Sequence, residues 1–173
     1  MVYRRRRIVI SEIDRQCRFV MMAYGDAAAA LQAKEAERLW YSLEGLITAA
    51  TRLHELLWPS PDPSVEWAAE LRSTLGATDE SPLNCPQLSG VAPLLPTLES
   101  WNLQKPGQPP LLTNFGPAGF TEPSPAECVR CFSPQFGRFT LFGATYEVTS
   151  LLHAVADLAP RVAQEVEALR SMV

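Results

Sequence analysis

Glu37–Pro59, ERLWYSLEGLITAATRLHELLWP, is the stretch whose reading decides the fold. Within it Leu39, Leu43, Leu46, Ala50, Leu53 and Leu57 recur at alternating steps of four and three, which places them on one face of an α-helix. Trp40, Ile47 and His54 run along one edge of that face. Ser42, Gly45 and Ala49 make a second stripe of small side chains, where another backbone can approach closely. A helix lined on two sides in this way belongs at the centre of a bundle, flanked by more than one partner.

Upstream, an apolar stripe through Ile13, Cys17, Val20, Tyr24, Ala28 and Leu31 predicts a first helix from Ile8 to about Ala33, rich in alanine and so of high helix propensity. Gly25 costs about 1 kcal/mol inside a helix, so a bend or break is expected there. The phase shifts at Gln32–Glu35, and so short a connection makes the two helices an antiparallel hairpin. Pro59, Pro61 and Pro63 stop the central helix. Asp62 is the expected N-cap of a third helix, with Pro63 in its first turn, running through Trp67, Ala68, Leu71 and Leu75 to a terminating Gly76. A weaker helix interrupted by Pro93 and Pro96 is read over Val91–Trp101.

Residues 102–127 are rich in proline and glycine without sustained periodicity, an uncommon length for a structureless loop. The period then changes to two. Cys128–Phe132, Arg138–Phe142 and Thr145–Val148 read as strands of an antiparallel meander, joined at Gln135–Gly137 and Gly143–Ala144. A last helix over Ser150–Met172 carries Leu151, Val155, Leu158, Val162, Val166 and Leu169 on its apolar face. Thr149 or Ser150 is its expected cap, and Pro160 inside it an expected kink. The fold class expected is mainly α: an antiparallel helical bundle with a small antiparallel β-meander inserted before the C-terminal helix. Residues 1–173 are read as one domain, with 102–127 as a long loop and 128–148 as an appendage.

The chain is 47% hydrophobic and 20% charged, the composition of a globule that can bury a core rather than of a disordered chain. No run reaches the roughly 18 to 20 apolar residues that span a bilayer. Arg4–Arg7 imitate a charged leader, but Glu12, Asp14, Arg15 and Arg18 interrupt the apolar run that a leader needs behind its charges. A cytoplasmic protein without membrane contact is expected. A net charge of −4 gives no bulk attraction for nucleic acid. The local exception, Arg4, Arg5, Arg6 and Arg7, is either a solvated, frayed terminus or a phosphate-gripping arm that would bind RNA in a salt-dependent way.

Candidate chemistry is sparse. Cys128 and Cys131 form a CxxC pair, but a zinc site needs four ligands and Cys17, Cys85, His54 and His153 are isolated in sequence. A redox pair should open a helix, whereas this one falls where a strand is read. Four free thiols and no cofactor are expected. His54 lies beside the buried stripe, where a satisfied core-boundary histidine is the plain reading; His153 falls off the apolar face. Glu44, Thr48, Arg52 and Glu55 share a polar face that reads as a surface ion-pair row before a substrate-binding line. No Gly-rich phosphate loop, nucleophile elbow or His-Glu-x-x-His occurs. The small stripe suits packing within the chain or across a two-fold axis, and a homodimer is expected.

Trp40-Tyr41-Ser42-Leu43, Ala49-Ala50 and Leu56-Leu57-Trp58-Pro59 resemble the second helix of a group of uncharacterised bacterial HEPN-like proteins. Leu71-Arg72, Leu75-Gly76 and Asp79-Glu80-Ser81-Pro82-Leu83 are similar to the next segment of that group, in the same order. Glu99, Trp101, Asn114, Gly116-Pro117, Gly143 and Tyr146 resemble its later parts. The resemblance implies a helical bundle, commonly dimeric. In active members it implies a metal-independent ribonuclease with an arginine and, four to six residues on, a histidine, acting in toxin or antiviral systems. Histidine would move the ribose 2′-hydroxyl proton while arginine stabilised the phosphorane charge.

This chain lacks that pair: the matching segment, Val91–Trp101, holds neither residue, and Arg52 and His54 are only two apart. The expectation is therefore a non-catalytic HEPN-like dimerising or binding module with a protein partner in bacterial defence or a toxin–antitoxin setting. The alternative is a ribonuclease with an atypical constellation of His54, Arg52 and Glu55 drawn from two subunits.

Overall fold

The computed structural model describes residues 3–59, 65–88, 114–115, 124 and 128–171. Four helices and four short strands lie among them: α1 (Tyr3–Ala33), α2 (Ala36–Leu57), α3 (Glu66–Leu75), β1 (Asn114–Phe115), β2 (Arg130–Ser133), β3 (Arg138–Leu141), β4 (Ala144–Glu147) and α4 (Val148–Ser171). The protein is thus mainly helical, with a small antiparallel meander ahead of the last helix. It divides into two compact units, residues 1–89 with 150–173, and residues 90–149.

In the first unit α1 and α2 pair along their length. Ile10, Ile13, Cys17, Val20, Ala27 and Ala30 are buried on α1, and Leu39, Leu43, Leu46, Ile47, Ala50, Leu53 and Leu57 on α2. Each fully buried leucine or isoleucine contributes about 1.5–3 kcal/mol of transfer free energy, which is why the hairpin dominates the unit. Helix α1 is 31 residues long and runs through Gly25 without a break. It also begins earlier than its hydrophobic pattern does, so that Arg4–Arg7 form its first turns. Tyr24, which the spacing places on the stripe, is 40% exposed.

The turn between the helices rests on Lys34. It adopts a left-handed conformation with φ of 59°, the Lys34 amide donates to the Leu31 carbonyl at 3.2 Å, and the Glu35 amide to the Ala30 carbonyl at 2.9 Å. Helix α3 ends in the same way at Gly76, with φ of 62° and amides of Gly76 and Ala77 returning to the Ser73 and Arg72 carbonyls. These paired bonds satisfy carbonyls that a helix C-terminus leaves open. At its other end α3 starts at Glu66, preceded by an extended Val65. Asp62 and Pro63, the expected cap and first turn, fall outside the described residues, and the extended Val65 separates them from the helix.

Helix α4 contributes Leu151, Val155, Leu158, Val162 and Leu169 to the buried set and continues through Pro160. Arg6 anchors the start of α1 to α3 and α4 together, through Glu70 at 3.1 Å and Glu165 at 2.8 Å. Arg161 of α4 donates to the Leu75 and Gly76 carbonyls at 3.1 and 3.0 Å, so a side chain from α4 completes the end of α3.

In the second unit the strand order is β1-β2-β3-β4. The β2–β3 and β3–β4 pairs are antiparallel, in register through Phe132↔Phe139 and Phe139↔Tyr146. The two residues between β3 and β4 are Phe142 and Gly143, both at positive φ, 49° and 81°, the signature of the tight hairpin turn that matches strand twist. This sets the turn one residue earlier than Gly143–Ala144. One strand is unexpected: β1 pairs in parallel with β2, Asn114 against Cys131. Helix α4 also opens earlier than the expected caps. Strand β4 passes into it directly, so Thr149 and Ser150 lie inside the helix, and the Val148 amide donates to the Gly137 carbonyl at 2.8 Å. The expected helix over Val91–Trp101 and most of 102–127 lie outside the described residues.

Candidate functional site

Helix α2 presents opposite sides to two different environments. At about 100° per residue, Arg52 and His54 are separated by about 200° around the axis, so they cannot share a site within one chain. His54 turns inward and is 6% exposed. Its Nδ1 lies 3.0 Å from the Leu83 carbonyl oxygen and must carry the proton, because a carbonyl only accepts. The ring stacks on Trp58, with centroids 5.9 Å apart and planes 20° from parallel.

Trp58 in turn donates from Nε1 to Asp79 at 2.9 Å. Arg72 lies over the Trp58 ring at 5.8 Å and donates to the Leu57 carbonyl at 2.6 Å, closing an orphan acceptor at the end of α2. His54, Trp58, Arg72 and Asp79 therefore tie the end of α2 to α3 and to the segment beyond it. The arrangement is structural: His54 Nδ1, Trp58 Nε1 and Arg72 all donate to backbone or side-chain acceptors within the unit.

The outer side of α2 is different. Tyr41, Gly45, Thr48, Arg52 and Glu55 are exposed there. Of these, Tyr41, Gly45, Thr48 and Arg52, together with Phe19, Met22 and Ala23 of α1, frame a groove of about 430 Å³, floored by Gln16, Ser42 and Ala49 and edged by Asp26 and Glu44. The small side chains read from the sequence are what opens it; a Cβ placed on Gly45 would meet nothing within 4 Å. Its walls are large and apolar, Tyr41 being 82% exposed, Met22 64% and Phe19 44%. Exposed aromatic and methionine side chains around a concave, partly apolar surface are the usual composition of a protein-binding site.

Gln16 is the unusual member. It is only 1% exposed, and its amide nitrogen donates to Glu12 at 2.6 Å. That fixes its carbonyl oxygen as the other end of the amide, where it is buried without a hydrogen-bond partner. An unmet acceptor of this kind costs about 1–3 kcal/mol. A donor brought by whatever fills the groove would recover it.

The remaining candidates are dispersed. Glu55 is exposed and Arg52 lines the groove, far from the buried His54 ring. Of the N-terminal arginines, Arg6 is engaged by Glu70 and Glu165, and Arg5 lies 4.9 Å over the Trp67 ring; Arg4 and Arg7 are exposed. The run is a helical turn partly absorbed by its neighbours, not a frayed tail. Cys128 and Cys131 are buried and not disulfide-bonded, and among the described residues no three His, Cys, Asp or Glu side chains are grouped as a metal site. His153 is exposed on α4. No described helix is long and apolar enough to cross a membrane.

The small stripe and the boundary position of His54 are legible in the sequence. Phe19, Met22 and Gln16 are not, because they belong to the groove only once α1 folds back along α2. One signal does point to the first two: Phe19 and Met22 fall off the apolar stripe of α1. No family model matches the chain, and neither a curated protein nor a solved structure matches it.

Proposed function

We propose that the chain is a non-catalytic, HEPN-like helical module that works by docking a protein in the outer groove of its α1–α2 hairpin. The setting suggested by the resemblance is bacterial defence or a toxin–antitoxin pair, an analogy of fold and not of chemistry. One observation carries the reading. The histidine that a nuclease would need is buried against the Leu83 carbonyl, on the side of α2 away from Arg52, while the exposed side of the same helix is an open, partly apolar groove. General acid–base catalysis requires a group within hydrogen-bonding reach of the proton it moves, and His54 is directed at the protein's own backbone.

The HEPN-like element of the proposal draws support from the residues that carry the resemblance. Trp58, Arg72, Gly76 and Asp79 join α2, α3 and the segment after them in one network. The discriminating experiment is incubation of the purified chain with single-stranded and structured RNA in EDTA, beside sedimentation analysis of its association state and a search for bound protein. Intact RNA with a saturable protein complex is the expected result. RNA cleavage that His54→Ala abolishes while leaving the melting temperature unchanged would establish the ribonuclease reading instead.

A further inference from the structure

We infer that the occupant of the groove is a second copy of this chain, its α2 lying antiparallel to the first across a two-fold axis at Thr48. The inference rests on the binding-module reading and names the partner. Its basis is the order of charges on the exposed side of α2. Glu44 and Arg52 stand four residues to either side of Thr48, and Tyr41 and Glu55 seven residues to either side. An antiparallel pairing centred on Thr48 therefore sets Glu44 against the second copy's Arg52, and the two-fold axis repeats that contact. A surface must be self-complementary to pair isologously, and opposite charges placed symmetrically about one residue meet that condition.

The centre of the pairing is small. Gly45, Thr48 and Ala49 let two helix backbones approach, and the space beyond Gly45 is open. The flanks are large: Phe19, Met22 and Tyr41 from each copy would give six exposed side chains of the types enriched at interfaces. Gln16 supplies an independent indication. It and Arg52 each lie eighteen residues from the turn at Lys34, so the antiparallel hairpin sets Gln16 at the Arg52 end of the groove, the end that receives the second copy's Tyr41. A phenolic hydroxyl is a donor, and the Gln16 carbonyl is a buried acceptor that has none.

Charge exchange tests the arrangement on the full chain. In Glu44→Arg both symmetric contacts become Arg–Arg, and in Arg52→Glu both become Glu–Glu, so each single variant should weaken self-association at least tenfold in sedimentation. The double variant Glu44→Arg/Arg52→Glu should restore it. So should an equimolar mixture of the two single variants, since one copy then presents two arginines and the other two glutamates, and both symmetric contacts return to Arg–Glu. Far-UV circular dichroism and melting temperature check that each variant is folded.

Gly45→Trp, which fills the groove without touching a charge, should also give a monomer. A dimer indifferent to these changes would overturn the inference and leave the binding-module reading standing. A wild-type chain monomeric at about 100 μM, a concentration at which a micromolar complex is formed, would overturn it as well and assign the groove to another protein. RNA cleavage in EDTA would instead overturn the reading on which the inference rests.

Discussion

His54→Ala separates a structural histidine from a catalytic one. In the folded chain the ring is almost fully buried, donates through Nδ1 to the Leu83 carbonyl at 3.0 Å and stacks on Trp58. Truncation removes a hydrogen bond with a net value of about 1 kcal/mol and leaves a buried carbonyl unmet, the two together costing about 1–3 kcal/mol. Loss of the ring pair removes about 0.5–1.5 kcal/mol more, and the vacated volume adds a cavity term. A destabilisation of about 3 kcal/mol results, which for a chain of this length lowers the melting temperature by roughly 6–12 °C at about 2–4 °C per kcal/mol.

His54→Asn keeps an amide donor near the Nδ1 position and loses only the ring, so it should recover about half of that loss. His54→Leu fills the space without a donor and should resemble alanine more than asparagine. Thermal melts followed at 222 nm report the helical unit directly. A melting temperature for His54→Ala within about 2 °C of wild type, or a His54→Asn no better than His54→Leu, would refute the assignment of this residue to the fold.

Two further perturbations test the hairpin. Lys34 occupies a left-handed position, φ 59°, that costs a residue with a side chain about 1–2 kcal/mol; part of that gain is returned to the more flexible unfolded chain, so Lys34→Gly should raise stability by about 0.5–1 kcal/mol in urea melts, and a loss would refute the turn geometry. Cys17 is buried in α1 beside Asp14, and burial first and the carboxylate second push its thiol up to about 12, from 9.0. The folded state then retains a proton that the unfolded state releases, so the contribution is fully present below about pH 9 and is lost as pH rises toward 12. Stability should fall across that window at a rate set by this one thiol, and the fall should be shallower in Cys17→Ala; equal slopes in the two proteins would remove Cys17 as the cause.

The sequence announces those features whose cause is local. The four-and-three spacing of leucines makes α2 legible because a helical repeat is written into neighbouring residues. Gly76 is legible as a helix end because glycine is the residue that accepts a left-handed turn without cost. Lys34 forms the same turn and is invisible, since nothing in a lysine signals positive φ; only the shift of phase around Gln32–Glu35 betrays it. Strand β1 escapes notice for a related reason: its pairing with β2 joins Asn114 to Cys131 across seventeen residues, and a two-residue strand has no periodicity to read. The start of α3 is misplaced because Asp62-Pro63 looks like a helix opening, whereas the helix begins at Glu66, behind an extended Val65. The groove is half visible. The α2 part of its floor can be read as a stripe, but its walls come from two helices, and Gln16 becomes conspicuous only when its amide nitrogen is seen to be committed to Glu12.

In the proposed reading, a resemblance to HEPN-like chains and the absence of an arginine–histidine nuclease pair are compatible in one chain. Trp58, Arg72, Gly76 and Asp79 look, in sequence, like scattered points of similarity. In the structure they form one device: Asp79 holds the Trp58 indole, Arg72 covers its face and closes the end of α2, and Gly76 turns the chain so that the next segment can reach His54 through Leu83. Each of these contacts ties α2 to α3 or to the segment beyond it. Residues that fix how α2 and α3 meet are needed by any chain that uses this packing, whatever it does. An arginine and histidine at a cleft are needed only by one that cuts RNA. On that proposal the packing residues persist without the nuclease pair, and the outer side of α2 serves docking while its inner side holds the hairpin closed.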